Sequence, residues 1–487
     1  MRGPARALVP ALMLFGSVSC ATNTAQNTPA GPGSPTSEDA LMAKARAIHE
    51  RVMTLDTHVD IEPGNFRVGE LNYSQRLNTQ VDLTKMEEGG LDAIFFSIYV
   101  GQGALDSAGY ARAYATDTAK FNAVHTLAEK IAPTRIAIAY TADDARRIYA
   151  SGKKVALLGV ENGYGIGTDI TRVKEFYVRG ARYMSLAHNG HSQLSDSNTG
   201  ETTNDWMWHG LSPLGKQVIV ELNRLGIMID VSHPSKESMM QSLALSKAPI
   251  IASHSGVRAL CNVSRNLDDE QLKALAKNGG VVQMVAYRGY VKCDPAGTVA
   301  RTQAIAALNQ EFSIKPAVRG GAGGGRGGAG GGGGFPRGPV AGTPGPSCSA
   351  RAAAGAAPFR NAATVAVDSQ VALLSPERRT QYQDRMRAIA ERYPQQPTAT
   401  VKDFVDHIDY GVKLIGLDHV GIGSDFDGGG GLDGYNCALE SINVTRELVR
   451  RGYTEEQIAK IWSGNLLRVM GEVEKTAKRI QAGELKS

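Results

Sequence analysis

A chain of 487 residues, 42% hydrophobic and 21% charged, reads as globular and is long enough for one large domain or two to three ordinary ones. Its formal net charge of +5 is too dilute over that length to suit nucleic acid, and no basic cluster with interleaved aromatics occurs. Its five cysteines include no C-x-x-C pair, which leaves a cysteine zinc site or a thioredoxin-type redox role without support.

Residues 1–20 are expected to be an export signal. Arg2 and Arg6 precede an apolar run from Ala7 to Val18 that is too short to span a bilayer, and small residues follow at Ser17 and Ser19. Ser17-Val18-Ser19-Cys20 resembles the bacterial lipoprotein cleavage box, with serine where that box usually has leucine. The resemblance implies lipidation of Cys20 and a periplasmic or membrane-anchored lipoprotein; the other reading is an ordinary signal peptide cut nearby. If Cys20 carries lipid, four cysteines remain for up to two bridges: Cys261, Cys293, Cys348 and Cys437. Residues 21–38, rich in Thr, Asn, Ala, Pro, Gly and Ser, read as a flexible tether, and 39–487 as the folded domain.

A helix capped by Ser37 is expected over Glu38 to Arg51, followed by a strand that delivers His58 and Asp60 two residues apart on one side. Strand and helix patterns then alternate. Strand-like runs are Leu91–Ser97, Arg135–Ala139, Lys154–Glu161, Ala181–Leu186, Gly226–His233, Pro249–His254, Gly279–Met284 and His419–Asp425, with helical stretches between them. About eight such alternations favour an α/β fold with a parallel sheet covered by helices. Metal-type residues at strand ends dispersed along the whole chain favour closure into a (β/α)8 TIM-type barrel, whose chemistry gathers at the C-terminal rim. An open doubly wound sheet would concentrate its ligand at one switch point, and no G-x-G-x-x-G follows the first strand.

From about 316 to 360 glycine, proline and alanine dominate, so a disordered insert is expected before the last barrel strand. That run lacks the G-K-[ST] ending of a phosphate loop. Leu374 to Arg392 regains helical patterning, and the tail beyond Thr454 is amphipathic, with Ile458, Ile461, Leu466, Leu467 and Met470 expected to pack on the outside of the barrel.

Taken singly, an H-x-D pair is also a strand end with two solvated residues, and a lone histidine is more often bonded to a backbone carbonyl than to a metal. Together, His58, Asp60, Glu161, His233 and His254 could hold two divalent cations with one carboxylate between them. Two metals ~3.5 Å apart would share a water and generate a hydroxide nucleophile near neutral pH. Nitrogen and carboxylate donors favour two Zn²⁺, and Mn²⁺ or Co²⁺ are also compatible.

Asp56-Thr57-His58-Val59-Asp60, Gly159-Val160-Glu161-Asn162-Gly163, Leu186-Ala187-His188-Asn189, Asp230-Val231-Ser232-His233, Ser253-His254-Ser255, Arg265-Asn266 and Gly423-Ser424-Asp425-Phe426-Asp427-Gly428 resemble, in this order, the motif set of the membrane dipeptidase (renal dipeptidase) family, peptidase family M19. The resemblance runs from about Arg46 to Met470. It implies a barrel of the metal-dependent hydrolase kind and an exported zinc dipeptidase that acts on dipeptides with a free C-terminal carboxylate and accepts D-residues there, through a hydroxide bridging two metals. By resemblance, His58 and Asp60 bind one zinc, His233 and His254 the other, and Glu161 bridges them. His188 stabilises the oxyanion, Arg265 clamps the substrate carboxylate, Tyr290 contacts the substrate backbone and Asp425 relays a proton to the leaving amine. Cys261 and Cys293 match a family disulfide. The motif after the first strand departs from the family, with Ile61-Glu62-Pro63 where an aromatic is common, and the insert has no family counterpart. The alternatives are another binuclear barrel amidohydrolase (lactonase or cyclic amidase) and a catalytically inactive exported binding protein. Small dipeptides are the expected partners, and a homodimer is among the assemblies the sequence permits.

Overall fold

Every strand pairing in the sheet is parallel. In the computed structural model the strands are β1 (Leu55–Asp60), β2 (Ala93–Tyr99), β3 (Ile136–Ile138), β4 (Lys154–Glu161), β5 (Ala181–Ser185), β6 (Met228–Asp230), β7 (Ile251–Ser255), β8 (Val281–Val285) and β9 (Val420–Gly423). Residues 37–314, 348, 367, 370–393 and 398–486 are described. The expected export signal with Cys20, the tether up to residue 36 and, apart from Cys348, the glycine-rich insert lie outside the described residues.

The pairing order is β1-β2-β4-β5-β6-β7-β8-β9, with β3 pairing beside the path. β3 occupies the first half of one edge of β4, from Lys154 to Ala156, while β5 pairs from Leu158 onward. The ring of eight is nearly closed where the end of β1 meets the chain after β9. There Asp60 N–H donates to the Phe426 carbonyl (2.9 Å) and Asp425 N–H to the His58 carbonyl (3.1 Å). Asp56 locks this seam, its carboxylate accepting from the Ser424 N–H (2.8 Å) and the His58 N–H (3.1 Å). Burial pushes the Asp56 carboxyl up to about 6 in spite of those bonds.

Alternation along the strands divides the core in two. Ile94, Phe96, Ile98, Ala156, Leu158, Val160, Met184, Val282 and Met284 belong to the cluster shared with the surrounding helices. Leu55, Ala93, Phe95, Val155, Leu157, Tyr183, Met228, Ile251 and Val281 form a second cluster, inside the barrel. Most of these stand at strand starts, and they pack on Leu466, Leu467, Val469, Met470 and Val473 of the helix Asn465–Gln481. Ile458 and Ile461 pack in the helix layer around the barrel as expected, whereas the helix Asn465–Gln481 lies across the N-terminal mouth and floors it. The apolar stripe was legible, but periodicity does not say which surface it meets.

Helix starts follow the sequence closely because their caps are local: Asp82 accepts from Lys85 N–H, and Asp268/Gln271 and Thr400/Asp403 form reciprocal capping boxes. Before the insert the chain forms the helix Pro295–Glu311, which packs against Pro376–Arg392. This pair has its own small core of Leu308, Phe312, Ile314 and Tyr382, separate from that of the barrel. Disulfides join Cys261 to Cys293 and Cys348 to Cys437. The first links the loop after β7 to the chain after β8, and the second links the insert to the loop after β9. Two bridges fit an oxidising, exported compartment, and no described helix is long and apolar enough to cross a membrane.

Candidate metal centre

The C-terminal ends of β1 and β4, the turn after β6 and the end of β7 bring five side chains to one point. His58 Nε2 is 3.1 Å from Glu161 Oε2 and 3.8 Å from Asp60 Oδ2. The other Glu161 oxygen, Oε1, is 3.0 Å from His233 Nε2 and 3.5 Å from His254 Nε2, and these two nitrogens are 3.1 Å apart. Donors bound at 2.0–2.1 Å to one tetrahedral ion lie roughly 3.3 Å from each other. The groups His58/Asp60/Glu161 and Glu161/His233/His254 therefore each fit a divalent cation, with Glu161 common to both. Burial, reinforced by Arg265, holds His233 well below its ordinary range; burial and the nearby His58 do the same for His254, so each is neutral and offers a lone pair. Burial would raise the Glu161 carboxyl, but His58, His233 and His254 together hold it well below the usual range.

Buried partners orient these donors. His58 Nδ1 lies 2.8 Å from the Tyr183 hydroxyl, which turns Nε2 toward Glu161. Tyr183 reaches this place because it stands beside Gly159, where any side chain would overlap its ring. Ser253 Oγ donates to Asp230 Oδ2 (2.6 Å) and lies 2.8 Å from His254 Nδ1, a carboxylate–hydroxyl–imidazole chain. Ser97 Oγ donates to Glu161 Oε2 at 3.1 Å.

Four further side chains from the sequence reading gather here. His188 lies against His233 with ring centroids 4.1 Å apart and the planes tilted by 37°, and its Nε2 is 3.7 Å from Glu161 Oε1. Burial lowers its pKa, so it is a neutral imidazole. Arg265 is buried, and its Nη1 donates to Ser255 Oγ at 2.9 Å. Its Nε and Nη2 have no hydrogen-bond partner among the described residues. Its guanidinium carbon lies 5.7 Å from the Tyr290 ring centroid. Asp425 has φ of +60°, left-handed for a non-glycine residue, and its carbonyl accepts from the Gly428, Gly429 and Gly430 N–H groups. A side chain at Gly428 would overlap both the Asp425 and Asp60 carboxylates. Burial pushes the Asp425 carboxyl well above the usual range; Asp60 and Glu161 add to the rise, and His58 and Arg265 oppose it.

All the sequence-singled site residues of the described chain thus converge, and the Cys261–Cys293 pairing is observed. Sequence reasoning misses Ser97 and Tyr183. Ser97 left a faint signal as the polar end of an apolar strand. Tyr183 left none, because its meaning depends on Gly159 across the sheet.

A parallel barrel with imidazole and carboxylate donors gathered at its C-terminal mouth defines a metal-dependent hydrolase. The chain belongs to the membrane dipeptidase family, peptidase family M19, whose model matches residues 42–484. It is accordingly a metallo-dipeptidase, a hydrolase of peptide bonds. The solved structure of the probable dipeptidase PvdM from Pseudomonas aeruginosa is similar, with a TM-score of 0.68 at 30% identity, covering 90% of this chain and 99% of that one. Dipeptidase tcpJ of Claviceps purpurea is 26% identical over 405 residues, which is 82% of this chain and 70% of that protein. Dipeptidase 3 of Macaca fascicularis is 31% identical over 275 residues, 54% of this chain and 53% of that protein.

Proposed function

We propose that the protein is an exported zinc dipeptidase that hydrolyses dipeptides with a free C-terminal carboxylate, D-residues included at that position. His58 and Asp60 hold one zinc, His233 and His254 the other, and Glu161 bridges them. When bound, such a pair supplies a hydroxide near neutral pH and polarises the scissile carbonyl. Everything else falls to the chain. His188, neutral and beside Glu161, donates a hydrogen bond to the oxygen on which negative charge develops. Asp425 takes the proton released by the attacking water and hands it to the departing amine. Tyr290 lines the carboxylate end of the cleft beside Arg265.

The observation that carries this reading is Arg265: a buried guanidinium with two donor groups unpaired among the described residues, next to the candidate metal ligands. A planar fork of that kind suits a carboxylate, and leaving it empty is costly. Placed close to the donors, it also limits how much substrate extends beyond the cut bond. Dipeptides are expected to be cleaved and their C-terminal amides to react roughly 10²–10³-fold more slowly in kcat/KM, as loss of a buried charge partner implies. Arg265→Met should erase the difference. Equal turnover of acids and amides by the unmodified protein would remove Arg265 from this role.

Residues 1–20 are proposed to direct export and 21–36 to tether the catalytic domain to lipid on Cys20, the first helix beginning at Ser37 rather than beyond the tether expected to run to 38. Incorporation of a labelled fatty acid that Cys20→Ser abolishes checks this; label retained by the variant speaks against it.

A further inference from the structure

Lys120 projects from the helix Ser107–Thr126 and is buried beside the metal centre, yet no family motif read from the sequence includes it. Its ammonium lies 3.9 Å from Asp60 Oδ1 and 5.2 Å from the Tyr99 ring centroid. Asp60 Oδ1 is itself buried and has no hydrogen-bond partner among the described residues. One turn earlier on the same helix, Asp117 is buried with both carboxylate oxygens unpartnered among the described residues. Burial pushes that carboxyl well above the usual range against the pull of Lys120 and Arg172, so it offers Lys120 little counter-charge. Asp60 is left as the carboxylate to which the ammonium is directed.

Resting on the proposal that His58, Asp60 and Glu161 hold a divalent cation, we propose that Lys120 is a positioning residue that draws charge from Asp60, so that this half of the centre releases its cation more readily. Asp60 presents Oδ2 to His58 and Oδ1 to Lys120. A carboxylate shared between an ammonium and a metal gives less charge to the metal, and two like charges repel strongly in a site from which water is excluded. The cation held there is more electron-poor and thus a stronger Lewis acid, at the expense of retention. The sign separates this role from simple packing: a damaged ligand shell lets metal go faster, whereas removing a repelling charge makes it leave more slowly.

The test uses full-length protein reconstituted with Zn²⁺, mixed with excess chelator, with release followed by a zinc-sensitive dye. Lys120→Met is expected to slow release of one of two zinc equivalents by roughly tenfold, within the range seen for outer-shell partners, and to leave the other unchanged. Lys120→Arg, which keeps the charge, should release zinc like the parent. Unchanged or faster release from Lys120→Met overturns the role of Lys120 while the metal-site assignment stands. Unmodified protein that takes up no zinc overturns both.

Discussion

Asp425→Asn is expected to lower kcat by about 10²–10⁴-fold, the usual worth of a positioned proton carrier, while zinc content stays at the parental level. The amide keeps the size of the side chain and the left-handed backbone that the Gly428–Gly430 N–H groups hold in place, so the change is confined to the proton. Both groups that include Glu161 remain intact without Asp425. A third cluster, His58/His254/Asp425, also has its donor atoms close enough for an ion, and it supplies the competing outcome. Should the variant lose metal in proportion to activity, Asp425 is a ligand and the proton must travel by another group. Metal analysis beside single-turnover kinetics on a dipeptide decides between the two.

Glu161→Gln should have the larger effect on binding. Glu161 belongs to both of the groups proposed to hold zinc, with one oxygen facing His58 and the other facing His233 and His254. A glutamine cannot offer two anionic oxygens, so both cations lose a ligand at once. Affinity should fall by more than about 100-fold, beyond what an outer-shell partner contributes, and hydrolysis should drop below detection. Loss of a single equivalent with the second held tightly would show that the carboxylate serves one ion and does not bridge. Parental zinc content and activity would dispose of the shared-carboxylate centre altogether.

The five metal-type donors were legible in the sequence because each stands at or just beyond the end of a short apolar run, and a parallel barrel brings such ends together. The bounds expected for β4, Lys154 to Glu161, are those observed. The apolar run Gly226–His233 overstates β6. Only Met228–Asp230 is strand, because the Asp230 carboxylate takes up the Ser232 N–H and turns the chain so that His233 reaches Glu161 from a loop. The helix Pro295–Glu311 went unread because its apolar residues pack on another inserted helix rather than on the barrel. Lys120 and Tyr183 were out of reach for a different reason. Each acts on a residue far away in the chain, Asp60 or His58, and nothing in its own neighbourhood marks it. Arg265 gains its meaning from the family order of motifs, and the structure adds that two of its donor groups have no hydrogen-bond partner among the described residues.

The floor of the barrel carries an implication for biogenesis. The interior wall is assembled from the starts of strands spread along the chain, but the apolar plug that shields it from water comes from Asn465–Gln481. A growing polypeptide can thus line up its strands early, yet their lower interior stays wetted until the helix beyond the last strand has emerged. Sealing from below and pinning of the upper loops by cystine are separate closing events, and the first of them waits for a helix that follows every strand in the chain.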